Sequence, residues 1–123
     1  QVSSGGCDDE RERQATIKMQ EPRLAQIQRL PQHQQGCPFA QLNVDIYQRA
    51  LGYAERCNRR ETIPAIRAEI DSNQALVDKN VTVLKEYQVH PDPTVCMDQE
   101  ETAMQDLVAD VFSGGEVLLI LFV

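Results

Sequence analysis

The sequence predicts an all-α protein: a disulfide-stapled antiparallel bundle of about four helices, with an apolar C-terminal tail packed on it. Three observations predict it. Apolar residues recur at steps of three and four through most of the chain, no stretch alternates apolar and polar in the manner of a strand, and aromatic residues are scarce at 5% with no Trp. The core must then be made of Leu, Ile, Val, Ala and Met, a set that suits interlocking helices. With 123 residues and 41% hydrophobic content, the chain has the size of one domain with one core, so 1–123 is read as a single unit.

Residues 1–6, QVSSGG, hold nothing that gains from burial and are read as a flexible lead. From Asp8 a first helix is expected to about residue 30. Its acids Asp8, Asp9 and Glu10 sit where the positive end of a helix dipole favours them, and Ile17, Leu24 and Ile27 lie on one stripe. Pro22 inside it removes a backbone bond, so a kink or break is expected there. The connector 31–38, PQHQQGCP, leads to Pro38, expected to be the first residue of a second helix, where a missing N–H costs nothing. Phe39, Leu42, Ile46, Ala50, Tyr53 and Cys57 follow in the clearest amphipathic pattern of the chain.

A polar turn, NRRE, separates this from a third helix that Thr62 can cap near Pro64. Its stripe runs through Ile63, Ile66, Ile70, Val77, Val81 and Leu84 to Tyr87, a helix about 39 Å long, with a bend expected at the poor helix formers Asp71, Ser72 and Asn73. HPDP at 90–93 ends it. A fourth helix is expected from Thr94, carrying Met97, Met104, Leu107, Val108 and Val111 to Phe112, and ending at Ser113-Gly114-Gly115.

The cysteines Cys7, Cys37, Cys57 and Cys96 have neither C-x-x-C nor Cys/His zinc spacing and are read as disulfide-bonded. Spacing alone leaves three pairings. Short connections make successive helices antiparallel, which brings Cys7 and Cys57 to one end of the bundle and Cys37 and Cys96 to the other, so these two pairs are expected. Each closes a loop of about 50 to 60 residues, worth about 4 kcal/mol in the chain-entropy model. Disulfides imply an oxidising compartment, hence secretion and an extracellular location. A start at Gln1 without Met, as after removal of a signal peptide, and the N-glycosylation sequon Asn80-Val81-Thr82 agree with that.

Val117 to Val123 form an unbroken apolar run within the tail 116–123. It is too short to span a bilayer, which takes about 20 apolar residues, and too short for a lipid-anchor signal. Leaving seven such side chains wet would forgo roughly 10 to 20 kcal/mol at about 1.5–3 kcal/mol each. The tail is therefore expected to fold back from the Gly114-Gly115 hinge onto the bundle; the alternative makes it a docking element for self-association or for a partner. Deleting 117–123 separates the two, by loss of folding or by loss of association alone.

An excess of 19 acidic over 12 basic residues, net charge −7, argues against nucleic acid or an anionic membrane as partner and leaves a basic or neutral protein surface as the better match. No catalytic constellation is visible: no G-x-S-x-G elbow, phosphate loop or H-E-x-x-H helix. His33 and His90 fall in connectors at one end of the bundle, with Asp92 the nearest carboxylate, and are read as exposed loop residues rather than metal ligands. A second acidic group, Asp98, Glu100 and Glu101, is placed near the start of the fourth helix; the dipole explains both acidic groups, with binding of a basic partner as the alternative, and Arg59 and Arg60 are read as a polar turn. No enzyme, metal or cofactor is expected, and surface recognition is the natural mode of action.

The size, the four cysteines, the helical pattern from CDDERERQ onward and the lack of Trp and of catalytic motifs resemble the small salivary proteins of anopheline mosquitoes, the albicin and anophensin group. The likeness covers the chain in outline. It implies inhibition of a host plasma defence cascade: the alternative complement pathway through binding of its C3 convertase, or contact activation around kallikrein, with a rigid helical surface holding the host complex unproductive. No residue role is carried over from it. The alternative reading is a secreted carrier of a small hydrophobic ligand, with Met97 and Met104 in the wall of an apolar cavity of about 300 Å³ or more rather than in a filled core. A helical signalling protein would share the same bundle.

Overall fold

A computed structural model describes residues 7–87 and 93–108. The lead 1–6, His90, Asp92, the predicted helical residues Val111 and Phe112, and the tail 116–123 with its hinge lie outside the described residues. Four α-helices are present there, α1 (Asp9–Gln28), α2 (Gly36–Arg56), α3 (Ile63–Tyr87) and α4 (Thr102–Val108), with short 3-10 turns at Gln32–Gln34 and Pro93–Cys96. No strand occurs among the described residues. The fold is all-α.

Helix α2 is the hub. Its stripe Phe39, Leu42, Ile46, Ala50 and Tyr53 is buried, and α1, α3, α4 and the Pro93–Cys96 turn all pack on it. Ile27, Ile66, Ala103 and Met104 complete the core, with Ile17, Leu24, Ile63 and Ile70 half-buried against it. The disulfides join Cys7 to Cys57 and Cys37 to Cys96, one at each end of α2, as the antiparallel path predicts.

Several boundaries differ from expectation, each for a local reason. Helix α2 starts at Gly36, so Pro38 is its third residue; the first backbone bond runs from Phe39 N–H to Gln35 O (2.9 Å), and Pro38 still occupies a position whose N–H would go unpaired. Helix α1 passes through Pro22 without a break. Pro22 and Lys18, the residue whose carbonyl it frees, are both exposed, so the lost bond falls on the solvent side of the helix. Helix α2 ends with Asn58 in the left-handed region (φ 59°), Arg59 N–H bonding Ala54 O (2.8 Å) and Asn58 N–H bonding Glu55 O (3.4 Å), which is a Schellman ending with Asn in the glycine position. Thr62 stands at the start of α3, and its carbonyl accepts from Ile66 N–H (3.1 Å). Its hydroxyl, however, donates backward to Arg59 O (2.9 Å).

Helix α3 runs unbroken through Asp71-Ser72-Asn73, where Asn73 is buried: its Nδ2 donates back to Glu69 O (2.8 Å) within the helix and its Oδ1 takes a partner on α2. Asn43 and Asn73 face one another, and by that antiparallel register Gly36 lies level with about residue 80. Helix α3 thus outruns α2, which leaves Val81 49% exposed although it lies on the predicted stripe.

The fourth helix begins at Thr102, not Thr94. Cys96 is drawn into the structure by Cys37 and is 1% exposed, and the following residues turn before the helix can start. Met97, expected on the core stripe, is 71% exposed as a result, while Met104 is buried.

Candidate functional site

Polar contacts between helices decide how the ends of the bundle are built, and they fall into three groups. At the Cys7–Cys57 end, Asp8 caps α1 by accepting Arg11 N–H (3.1 Å), and Asp9 accepts from the Tyr53 hydroxyl and from Arg59 Nη2 (2.8 Å for the latter). Arg59, expected only to fill a polar turn, is therefore an ion-pair partner of α1. Burial of the phenol, reinforced by the Asp9 carboxylate, pushes Tyr53 up to about 12, and Asp9 strengthens the charged form of Arg59. The exposed Glu10 is held below the ordinary carboxylate range by hydrogen bonds from Arg13 and then Gln14.

Along its length, α1 meets α2 through polar side chains. Arg49 Nε donates to Glu12 Oε2 (2.7 Å) and Thr16 Oγ1 (2.8 Å), and Arg23 Nη1 pairs with Asp45 Oδ2 (2.5 Å). Thr16 and Gln20 are more deeply buried than the predicted Ile17 and Leu24.

The third group lies toward the Cys37–Cys96 end. Asn43 is fully buried on α2; its Nδ2 donates to Glu100 O (2.9 Å) and Asn73 Oδ1 (3.2 Å), and its Oδ1 accepts from Ala103 N–H (3.2 Å). Asn43 thus caps α4 from another helix, satisfying a first-turn N–H that α4 cannot pair itself. Gln99 Nε2 donates to Asn73 Oδ1 (3.1 Å), and Asn73 Nδ2 to Glu69 O (2.8 Å), which completes a buried amide network. Sequence reasoning passed over Asn43, a polar residue beside an apolar stripe. The signal was its place one step from Leu42 on the most amphipathic helix.

Gly36 makes this end close. A Cβ there would lie 1.9 Å from Cys96 O, so only glycine permits the contact between the start of α2 and the Pro93–Cys96 turn. Beside the seam is an open pocket of about 340 Å³. Gln28, Gln32 and Gln35 form one side, Met97, Asp98, Gln99, Glu100, Glu101 and Gln105 the other, with Gly36 and Phe39 between. Gln35 is positioned by its own Nε2, which donates to Leu30 O (2.8 Å). Asp98, Glu100 and Glu101, attributed above to a helix dipole, all precede α4 and edge this pocket.

The other residues singled out by sequence are dispersed. His33 is exposed in the Gln32–Gln34 turn. Asn80 lies on α3, half-buried, its Oδ1 shielded from water and without a hydrogen-bond partner among the described residues. No three His, Cys, Asp or Glu residues group as metal ligands among the described residues, and no helix there is long and apolar enough to cross a membrane. Comparison of the chain with protein-family models, with curated proteins and with solved structures finds no match.

Proposed function

We propose that this chain is an extracellular, non-enzymatic binding protein that inhibits a host plasma defence cascade, with the C3 convertase of the alternative complement pathway as its target and a contact-system protease as the second choice. The choice of cascade rests on the outline resemblance to the anopheline salivary inhibitors. The binding mode rests on the molecule itself. The observation that carries it is the pocket at the Cys37–Cys96 end, which is open, lined mostly by amides and carboxylates, and bordered by the exposed Met97. Such a concavity suits a protein surface, where polar groups orient and an exposed methionine adds adaptable apolar contact.

A carrier of a hydrophobic ligand needs an enclosed apolar cavity. This pocket is neither enclosed nor apolar, and Met97, one of its two proposed wall residues, faces solvent. The extracellular reading is supported by the two disulfides. It also makes Asn80 a glycosylation candidate.

Haemolysis driven by the alternative pathway tests the proposal. Micromolar protein should suppress lysis, with contact activation of plasma measured alongside; unchanged lysis and unchanged contact activation would sink it. Expression through a eukaryotic secretory pathway tests the candidate modification, since glycosidase treatment should lower the mass of the wild-type chain and leave Thr82→Ala unaffected.

A further inference from the structure

We infer that the pocket at the Cys37–Cys96 end is the contact site for the partner, and that it receives an arginine side chain of a partner protein. The inference rests on the binding-protein reading and adds the site and the chemistry of its occupant.

Charge comes first. Asp98, Glu100 and Glu101 edge the pocket together and enter no ion pair among the described residues. No Lys or Arg is among the described residues that line the cavity. Arg29 and His33 belong to the same connector as the lining glutamines but are not part of the lining. The pocket is thus a concave patch of uncompensated negative charge on a chain of net charge −7, a field that attracts a cation.

Hydrogen-bonding capacity distinguishes arginine. A guanidinium offers five donors in a planar fork and accepts nothing, so it matches walls of carboxylates and side-chain amide oxygens. Phe39 supplies an apolar wall for the stem, and Met97 at the rim, 71% exposed, supplies the neighbouring contact that a flat protein surface would cover. At about 340 Å³ the space lies at the small end of ligand pockets, of the order of one long side chain and its water rather than a bulky ligand. Its walls are also held in place: Cys37–Cys96 and the Gly36–Cys96 seam join one side, and Asn43 and Asn73 hold the Glu100–Ala103 turn. Little ordering is left for the moment of binding.

The test is an NMR titration of the full, isotope-labelled chain with N-acetyl-arginine methylamide, and in parallel with its uncharged isostere N-acetyl-citrulline methylamide. The arginine probe should shift the side-chain amides of Gln28, Gln35 and Gln99 and the methyl of Met97 along one saturable curve, and the citrulline probe should bind at least about tenfold more weakly. The double variant Glu100→Gln/Glu101→Gln, two exposed or half-exposed side chains outside the core, should lose about tenfold in affinity for the arginine probe. No saturable shift, shifts centred elsewhere, or equal binding of both probes would overturn the inference. Haemolysis with the same proteins keeps the two proposals apart. If the variant no longer takes up the probe yet inhibits fully, the pocket is not the contact site while the functional reading stands; if the wild type takes up the probe without affecting lysis, the pocket stands and the complement reading falls.

Discussion

Asn43 is the residue on which the least predicted part of the molecule depends. It donates to one backbone carbonyl and accepts from one backbone N–H on either side of the turn that starts α4, and it does so from within the core. Asn43→Ala leaves the Ala103 N–H without its partner and takes one of two bonds from Glu100 O and from Asn73 Oδ1, so a loss of about 1–3 kcal/mol in urea unfolding is expected, with hydrogen exchange rising first in the 99–105 segment. Tyr53 carries the second prediction at this scale. Its ionisation is raised to about 12 by burial and by Asp9, above the ordinary tyrosine value near 10. The neutral phenol is therefore the form the fold favours. Its contribution is complete below about pH 10 and falls away as pH rises from there through about 12. Spectrophotometric titration should show one late tyrosine step that is missing in Tyr53→Phe, and Tyr53→Phe should flatten the loss of stability across that window.

At the scale of elements, α1 is joined to α2 by polar links as well as by the packing of Ile17, Leu24 and Ile27, and the polar links differ among themselves in weight. Arg49 bonds a buried hydroxyl and a carboxylate of α1 at once, whereas Arg13–Glu10 and Arg67–Glu55 lie at the surface and add little. The seam between α2 and the Pro93–Cys96 turn is steric. Gly36→Ala inserts a methyl group into the Cys96 carbonyl and must part the two backbones, so a loss of about 1–3 kcal/mol is expected, measured by thermal unfolding with both disulfides intact. The same change should alter the pocket, because Gly36 is part of its lining.

For the whole molecule, the disulfides close loops with sequence separations of 50 and 59 and hold opposite ends of α2. Replacing either pair by Ser should cost about 4 kcal/mol in the chain-entropy model, in the range of 2–5 kcal/mol seen for small domains. The two losses should differ in kind. Without Cys7–Cys57, the start of α1 keeps its links through Asp9 to Tyr53 and Arg59, and the pocket should survive. Without Cys37–Cys96, the seam that shapes the pocket opens, and uptake of the arginine probe should fall with stability. Urea unfolding of each double-serine variant, with the probe titration repeated on each, checks both statements.

Period and spacing were enough to identify the helices, the stripe of α2 and the pairing of the cysteines. Those features follow from rules that act within a few residues or from the antiparallel order of short connections: the 3.6-residue repeat lines up Phe39, Leu42, Ile46, Ala50 and Tyr53 wherever the helix is placed, and two cysteines at each end of such a path have one near partner each. The start of α4, the exposure of Met97 and Val81, the unbroken helix through Asp71-Ser72-Asn73 and the pocket itself were decided only when the elements met. Groups far along the chain outweighed local preference: Asn43 capped a helix it does not belong to, Asn73 Oδ1 took buried partners from Asn43 and Gln99, and Cys96 O took the space that Gly36 leaves free. Local propensities are worth tenths of a kcal/mol per residue, whereas a buried polar group left unpaired costs one or more, so tertiary contacts prevail wherever the two disagree.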